Sequence, residues 1–165
     1  MIMEMKKVKI GVISDTHLEH YDEKMKESLE NYFSETDFIL HAGDIVDLKV
    51  LDMFGNKEVK AVCGNMDNYA VRKKLPEYLL FEINGFKLLL IHGWGSPWGL
   101  EEKISARFPD AECVVYGHTH KPANHMKNKV FFFNPGSAAD RFFNSSKTIG
   151  ILEIDTEIKG KIIKI

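Results

Sequence analysis

Along the first third of the chain, short apolar runs alternate with segments whose apolar residues recur every three to four positions. Residues 7–13 alternate and then run apolar, which predicts a strand entering a buried sheet. Asp22 stands where it can cap a helix that carries Met25, Leu29, Tyr32 and Phe33 on one face. Residues 38–40 predict a second buried strand. A loop through Asp44 follows, then a helix with Val46, Val50, Leu51 and Phe54 on one face, ended by Gly55-Asn56. Residues 59–63 complete a βαβαβ rhythm, which implies a parallel sheet with right-handed crossovers.

The second half changes character. Asn84-Gly85 between 79–83 and 86–91 is a hairpin signal, and Lys127-Asn128 marks a second turn between His125 and Phe133. Leu100, Ile104 and Phe108 predict one more helix and residues 113–116 a strand, while 148–154 and 158–165 read as two closing strands. This half therefore reads as a mixed or antiparallel sheet packed on the first, with helices outside. There is no repeat or linker, and 165 residues suit one domain over 1–165.

Composition narrows the function classes. Hydrophobic residues at 44% and charged residues at 28% are ordinary for a globular chain, and no apolar run approaches the roughly 18 residues of a membrane span. With no signal peptide visible, a cytoplasmic protein is expected. Cys63 and Cys113 lie in apolar runs without metal-type spacing and read as small buried hydrophobes rather than a disulfide. The net charge of −2, with no basic stripe, argues against long nucleic acid as a partner but admits a small anionic substrate. Assembly into a homo-oligomer stays open.

Candidate chemistry sits at the ends of the predicted strands. Asp15 and His17 follow the first, Asp44 the second, Asn65 the third, His92 the second strand of the first hairpin, and His118 and His120 the strand after it. Singly, most of these have bland readings: an Asp cap, a Gly-Asp turn, a satisfied core histidine. Two histidines one residue apart after a buried strand are more specific. In a chain with only seven histidines, the joint placement points to oxygen and nitrogen donors converging on one sheet edge, able to hold two divalent cations.

The order Asp-x-His, Gly-Asp, Gly-Asn-x-Asp, His-Gly and Gly-His-Thr-His over about residues 10–152 resembles the calcineurin-like metallophosphoesterase superfamily, in its small phosphodiesterase branch. The resemblance implies an α/β fold, a four-layer αββα sandwich of two mixed sheets flanked by helices. It implies that Asp15, His17 and His120 bind one metal, that Asn65, His92 and His118 bind the other, and that Asp44 bridges them. A phosphodiesterase acting through a metal-bridging hydroxide on small phosphate diesters follows, with Asn65 and His92 serving catalysis as well as coordination. Manganese is the first expectation, and iron, nickel, cobalt or zinc suit the same donors. Asp67 is expected to accept from and orient a ligand histidine. His41 reads as a buried, satisfied histidine, and His20 and His125 as surface residues.

The chain also departs from the family pattern. Met66 stands where many members carry a histidine that protonates the leaving oxygen, and Trp94 stands where a second histidine often follows the His-Gly pair. Diesters with good leaving groups are therefore favoured over monoesters. The alternatives are a metal-independent interaction scaffold on the same fold, as in a retromer subunit, and a phosphomonoesterase or nucleotidase. Asn134-Pro135-Gly136-Ser137 reads as a structural turn and Arg141 as a surface charge. Of the two indoles after His92, Trp98 is expected to pack at a helix start and Trp94 to stand at the cleft rim.

Overall fold

A computed structural model of the chain describes residues 5–139 and 146–165. The first sheet begins with β1 (Val8–Ile13), whose last four residues are all buried. Helix α1 (Glu23–Phe33) starts where Asp22 accepts from the Met25 amide at 3.1 Å, and it buries Met25, Leu29 and Phe33 while Tyr32, at the edge of that stripe, stays exposed. Strands β2 (Phe38–His41) and β3 (Val59–Ala61) then lie parallel to β1. The helix expected around Val46 is a 3₁₀ helix, Leu48–Phe54, because Asp47 caps it at Lys49 and leaves Val46 outside at φ 76°. Strand β3 stops short of Cys63, whose amide bonds to Pro76 instead. The pattern gave no sign of α2 (Tyr69–Lys74), since only Val71 on it is buried, although Asn68 caps it in the ordinary way.

The second sheet contains β4 (Tyr78–Ile83) and β5 (Phe86–Ile91). After α3 (Leu100–Arg107) it continues with β6 (Cys113–Tyr116), β7 (Ala123–Lys127) and β8 (Val130–Asn134), in the order β4-β5-β6-β8-β7. The inner strands β5, β6 and β8 are parallel and the outer two antiparallel. Both predicted hairpins form, with positive φ at Asn84-Gly85 and at Asn128-Lys129, as a type I′ turn requires. The closing strands β9 (Thr148–Ile154) and β10 (Ile158–Lys164) return to the first sheet, where β9 pairs antiparallel with β1.

Three apolar layers follow. One joins α1 and the 3₁₀ helix to the outer face of the first sheet, one fills the space between the sheets, and one joins α3 to the outer face of the second. The expected αββα sandwich is therefore what the chain builds. Phe133 locks the two sheets: it is fully buried on β8, and a Cβ at Gly150 on β9 or Gly160 on β10 would stand only 2.5 or 2.6 Å from its ring. The glycines are there because the ring needs their space.

Phe133→Ala should therefore lower the unfolding free energy by about 3–5 kcal/mol, and Gly150→Val by about 1–3 kcal/mol through overpacking. Urea denaturation measures both. Midpoints equal to wild type would mean that the sheets are held together elsewhere.

Candidate metal centre

All seven candidate donors stand just beyond the carboxyl ends of parallel strands: Asp15 and His17 after β1, Asp44 after β2, Asn65 after β3, His92 after β5, and His118 and His120 after β6. Five of them, Asp15, His17, Asp44, His118 and His120, hold φ between 45° and 67°. Such left-handed backbone costs a non-glycine residue of order 1–3 kcal/mol and persists only where neighbours impose it. Here the Asp15 amide donates to Gly43 O at 3.0 Å, the His17 amide to Asp44 O at 3.1 Å and the Gly117 amide to His92 O at 3.1 Å. The loops also approach closely. A Cβ at Gly117 would collide with Ser14 Oγ, and one at Gly64 with Asp44 Oδ1.

Asp15, His17, Asp44 and His120 form one group, their ligand atoms all within 4.8 Å of one another. Around Asp15 Oδ1 stand the Nε2 atoms of His120, His17 and His92, at 3.2, 3.7 and 4.0 Å. Yet this buried oxygen accepts no hydrogen bond of acceptable angle among the described residues. Ligands about 2.0–2.2 Å from one ion stand roughly 3–3.5 Å from each other without pointing hydrogens at each other. His120 Nε2 keeps that spacing, at 3.2 Å from Asp15 Oδ1 and 3.3 Å from His17 Nε2, and His17 Nε2 stands just beyond it, at 3.7 Å from both Asp15 Oδ1 and Asp44 Oδ2.

A second group meets the first at Asp44. The Nδ1 of His92 lies 2.7 Å from Ala42 O, and the Nε2 of His118 lies 2.6 Å from Gly95 O. A carbonyl only accepts, so these ring nitrogens carry the protons. The opposite nitrogens then face further acceptors. His92 Nε2 is 3.1 Å from Asn65 Oδ1 and 3.3 Å from Asp44 Oδ2, and His118 Nδ1 is 3.0 Å from Asn65 Oδ1. Lone pairs converging on lone pairs repel unless a proton or a cation stands between them, and the donor set is one that a divalent cation fits.

Charge follows the same geometry. Burial disfavours ionised Asp15, but the imidazoles of His120 and His17 outweigh it and hold the carboxyl well below the usual carboxylate range. Burial likewise opposes ionised Asp44, and His92 outweighs it and lowers that pKa too. His92 is itself raised, burial being overcome by Asp44, and the Asp15 carboxylate raises His120.

A family model described as the calcineurin-like phosphoesterase superfamily domain matches residues 8–157. The chain belongs to that superfamily. It is 34% identical over 161 residues to a probable metallophosphoesterase of Methanothermobacter thermautotrophicus, covering 94% of this chain and 91% of the relative. It is 31% identical over 166 residues to a phosphodiesterase of Methanocaldococcus jannaschii, covering 92% and 95%. Among solved structures it is similar to Vps29 of Entamoeba histolytica complexed with zinc, with a TM-score of 0.72 and 25% identity, covering 95% of this chain and 99% of that one. No helix among the described residues is long and apolar enough to cross a membrane.

Several residues of this phosphoesterase behave otherwise than expected. Among the described residues Asp67 bonds to no histidine; its two oxygens accept from the backbone amides of Val46 at 2.6 Å and Gly64 at 2.7 Å, tying the Asp44 loop to the Asn65 loop. The imidazoles of His92 and His118 are oriented by the carbonyls of Ala42 and Gly95. Arg72 supports the Asn65 loop by donating to the carbonyls of Asn65 and Asp67. Of the two tryptophans, Trp98 departs: it does not pack at the helix start but is 82% exposed, whereas half-buried Trp94 leans on the α3 layer beneath Arg107 and lines a cleft together with Asn65 and His92. Cys113 is buried and its thiol pushed up to about 12, but Cys63 is only half-buried. The turn at Pro135 is structural, as read: Asn134 donates to Gly117 O, and Ser137 Oγ donates to Asp15 O at 3.0 Å. Arg141 lies outside the described residues.

His41 is the satisfied histidine expected. Its Nδ1 accepts from the Gly43 amide at 3.2 Å, so Nε2 carries the proton toward Thr16 Oγ1, also at 3.2 Å. Burial pushes its pKa down to about 3. An unfolded imidazole titrates near 6.5, so the unfolded chain binds a proton there that the native chain refuses. The stabilisation is full above about pH 6.5 and is lost as the pH falls toward 3. In metal-free protein, His41→Asn should show a decline of unfolding free energy over that window that is shallower by up to about 1.4 kcal/mol per pH unit. Equal slopes would mean that folded His41 is charged.

Proposed function

We propose that this phosphoesterase is a two-metal phosphodiesterase acting on small diesters, with manganese as the first candidate ion. The observation that carries the reading is the pair of donor groups sharing one carboxylate: Asp15, His17, Asp44 and His120 on one side, Asp44, Asn65, His92 and His118 on the other. Asp15, His17 and His120 would hold one ion, Asn65, His92 and His118 the other, and Asp44 both. When bound, such ions supply an ionised water as nucleophile and positive charge facing the nonbridging oxygens of a phosphate.

The chain's own residues set the rest. Asp15 and Asp44 contribute two negative charges against two divalent cations, so the cleft keeps a positive surplus for an anionic ester although the chain is net negative. Asn65 and the imidazoles add donors without cancelling that surplus. Ala42 O and Gly95 O hold the protons of His92 Nδ1 and His118 Nε2 on the sides away from Asn65, so neither proton is available to a leaving oxygen. Met66, 55% exposed beside Asn65, supplies none either. With neither imidazole of this pair nor Met66 able to protonate an alkoxide, the site suits diesters whose leaving group departs as a stable anion. The named phosphodiesterase relative agrees with this reading.

The chelated protein should be inactive and regain diesterase activity on adding Mn²⁺, and Asp44→Asn should lower kcat by orders of magnitude with native circular dichroism. Full turnover without metal would overturn the reading. Restored metal binding without any esterase activity would favour the scaffold alternative. Wild type should cleave bis(p-nitrophenyl) phosphate better than alkyl monoesters, and Met66→His should narrow that gap, by as much as about 10²–10⁴-fold if the new imidazole reaches the leaving oxygen. Equal wild-type rates on both substrates would show that another group donates the proton.

A further inference from the structure

Next to His120 lies a pocket of about 560 Å³ that the metal centre does not account for, lined by Pro97, Trp98, Tyr116, His120, Lys121 and Pro122 among others. Its size falls within the range of small-molecule sites. Its walls are mainly carbon, and they include the indole of Trp98, left 82% exposed on the loop before α3. Gly99 at φ 66° begins that helix without a side-chain cap, so Trp98 falls outside the helix and off its buried face. An indole kept in water, beside two prolines and within the same pocket as a candidate metal ligand, is a flat stacking surface joined to a phosphate site. Lys121 lines the same pocket, is exposed, and makes no ion pair among the described residues, so its ammonium can meet an anion there.

We propose that this pocket receives the nucleobase of a nucleotide diester, stacked on Trp98, while the phosphate lies on the His120 side of the metal centre. The inference rests on the diesterase reading for its substrate class, and on the pocket alone for its location. The continuity of the two sites decides the occupant. His120 belongs both to the donor group and to the pocket wall, so a phosphate at the centre and a base attached to it through a sugar would occupy adjoining spaces, and Lys121 adds charge complementary to the phosphate. A second cleft, lined by Asn65, His92, Arg72, Trp94 and Arg107 among others, is smaller, at about 330 Å³, and its indole is half-buried with Arg107 already over the ring.

Two measurements separate this inference from its parent. The chain has two tryptophans, so Trp94→Phe leaves Trp98 as the only indole. Its emission should be quenched saturably by adenosine 5′-monophosphate and not by ribose 5-phosphate. In the Mn²⁺-loaded enzyme, Trp98→Ala should lower the ratio of kcat/KM for thymidine 5′-(p-nitrophenyl phosphate) over methyl p-nitrophenyl phosphate by about 5- to 150-fold, the range for loss of one stacked base. The two esters share a leaving group, so the ratio reads only the other arm. Quenching by the nucleotide in a protein that cleaves no diester would uphold the pocket while sinking the parent reading. Equal quenching by both phosphates, or an unchanged ratio, would overturn the proposal. So would emission that ignores nucleotides and shifts to the blue as protein concentration rises, which would mark this face as a contact between copies of the chain.

Discussion

Two carboxylates buried in one cleft are the constraint around which this molecule is arranged. Asp15 is fully buried and Asp44 nearly so, and both stand within 3.7 Å of the same His17 imidazole. Removing each charge from water costs several kcal/mol, and placing like charges side by side adds to that. No Lys or Arg pairs with either among the described residues. What answers the charge is a ring of imidazoles together with backbone and hydroxyl donors: Ser14 Oγ and the His118 amide to Asp15, and the Met66 amide to Asp44. Imidazole is a cation only when it holds a proton it readily gives up. A protein that needed the pair merely as structure would be better served by guanidinium or by apolar replacements. Carboxylates answered by imidazoles suit a site whose positive charge comes from a bound cation.

The fold places that charge where the backbone can be bent to meet it. Parallel strands of both sheets end at the same edge, and the loops leaving them take left-handed turns at five of the seven donors. The cost, of order 1–3 kcal/mol at each, is sustained by the rigid sandwich beneath and by the bonds that tie loop to loop: Asp15 to Gly43, His17 to Asp44, and Asp67 across to Val46 and Gly64. Gly64 and Gly117 are close-approach positions in the same arrangement, and a methyl at either would strike Asp44 or Ser14. The strain and the tight packing occur together because both serve to hold the side chains of separate strands at ligand spacing.

Much of this was legible in the chain. The βαβαβ rhythm, both hairpins and the side chains that gather at this edge could be read, because strand ends are marked by apolar runs and these are chemically distinctive residues beside glycine. The parts that escaped lack such marks. Ala42 O and Gly95 O orient His92 and His118, but every residue has a carbonyl, and only the fold selects these two. Asp67 sits in the motif where an orienting acceptor was expected, and it serves instead as a clasp between loops, a difference set by which backbone amides come within reach. Helix α2 buries only Val71 and so shows no stripe. The exposure of Trp98 escaped because 93–99 carries three glycines and a proline, and sequence periodicity says nothing about a chain whose direction is set by positive φ at Gly93, Gly95 and Gly99.

The two donor groups also differ in their exposure to water, and on the two-metal reading that difference orders the cleft. Asp15, His17 and Asp44 are buried and His120 half-buried, whereas on the other side His92 is buried, His118 half-buried and Asn65 exposed, so the difference rests on Asn65. An ion on the Asp15 side would be held by two carboxylates in a low-dielectric setting, where electrostatic attraction is strongest. The ion on the Asn65 side would have one shared carboxylate, an amide and two imidazoles, and would face solvent. It is therefore the weaker position and the one whose charge an entering ester meets more directly. Trp98 and Lys121 lie beyond His120, so a phosphate engaging both ions could extend its base over the indole without crossing the exposed Asn65 side. On that reading, holding the metals, charge recognition and recognition of the organic arm would fall to neighbouring parts of one edge of the sandwich.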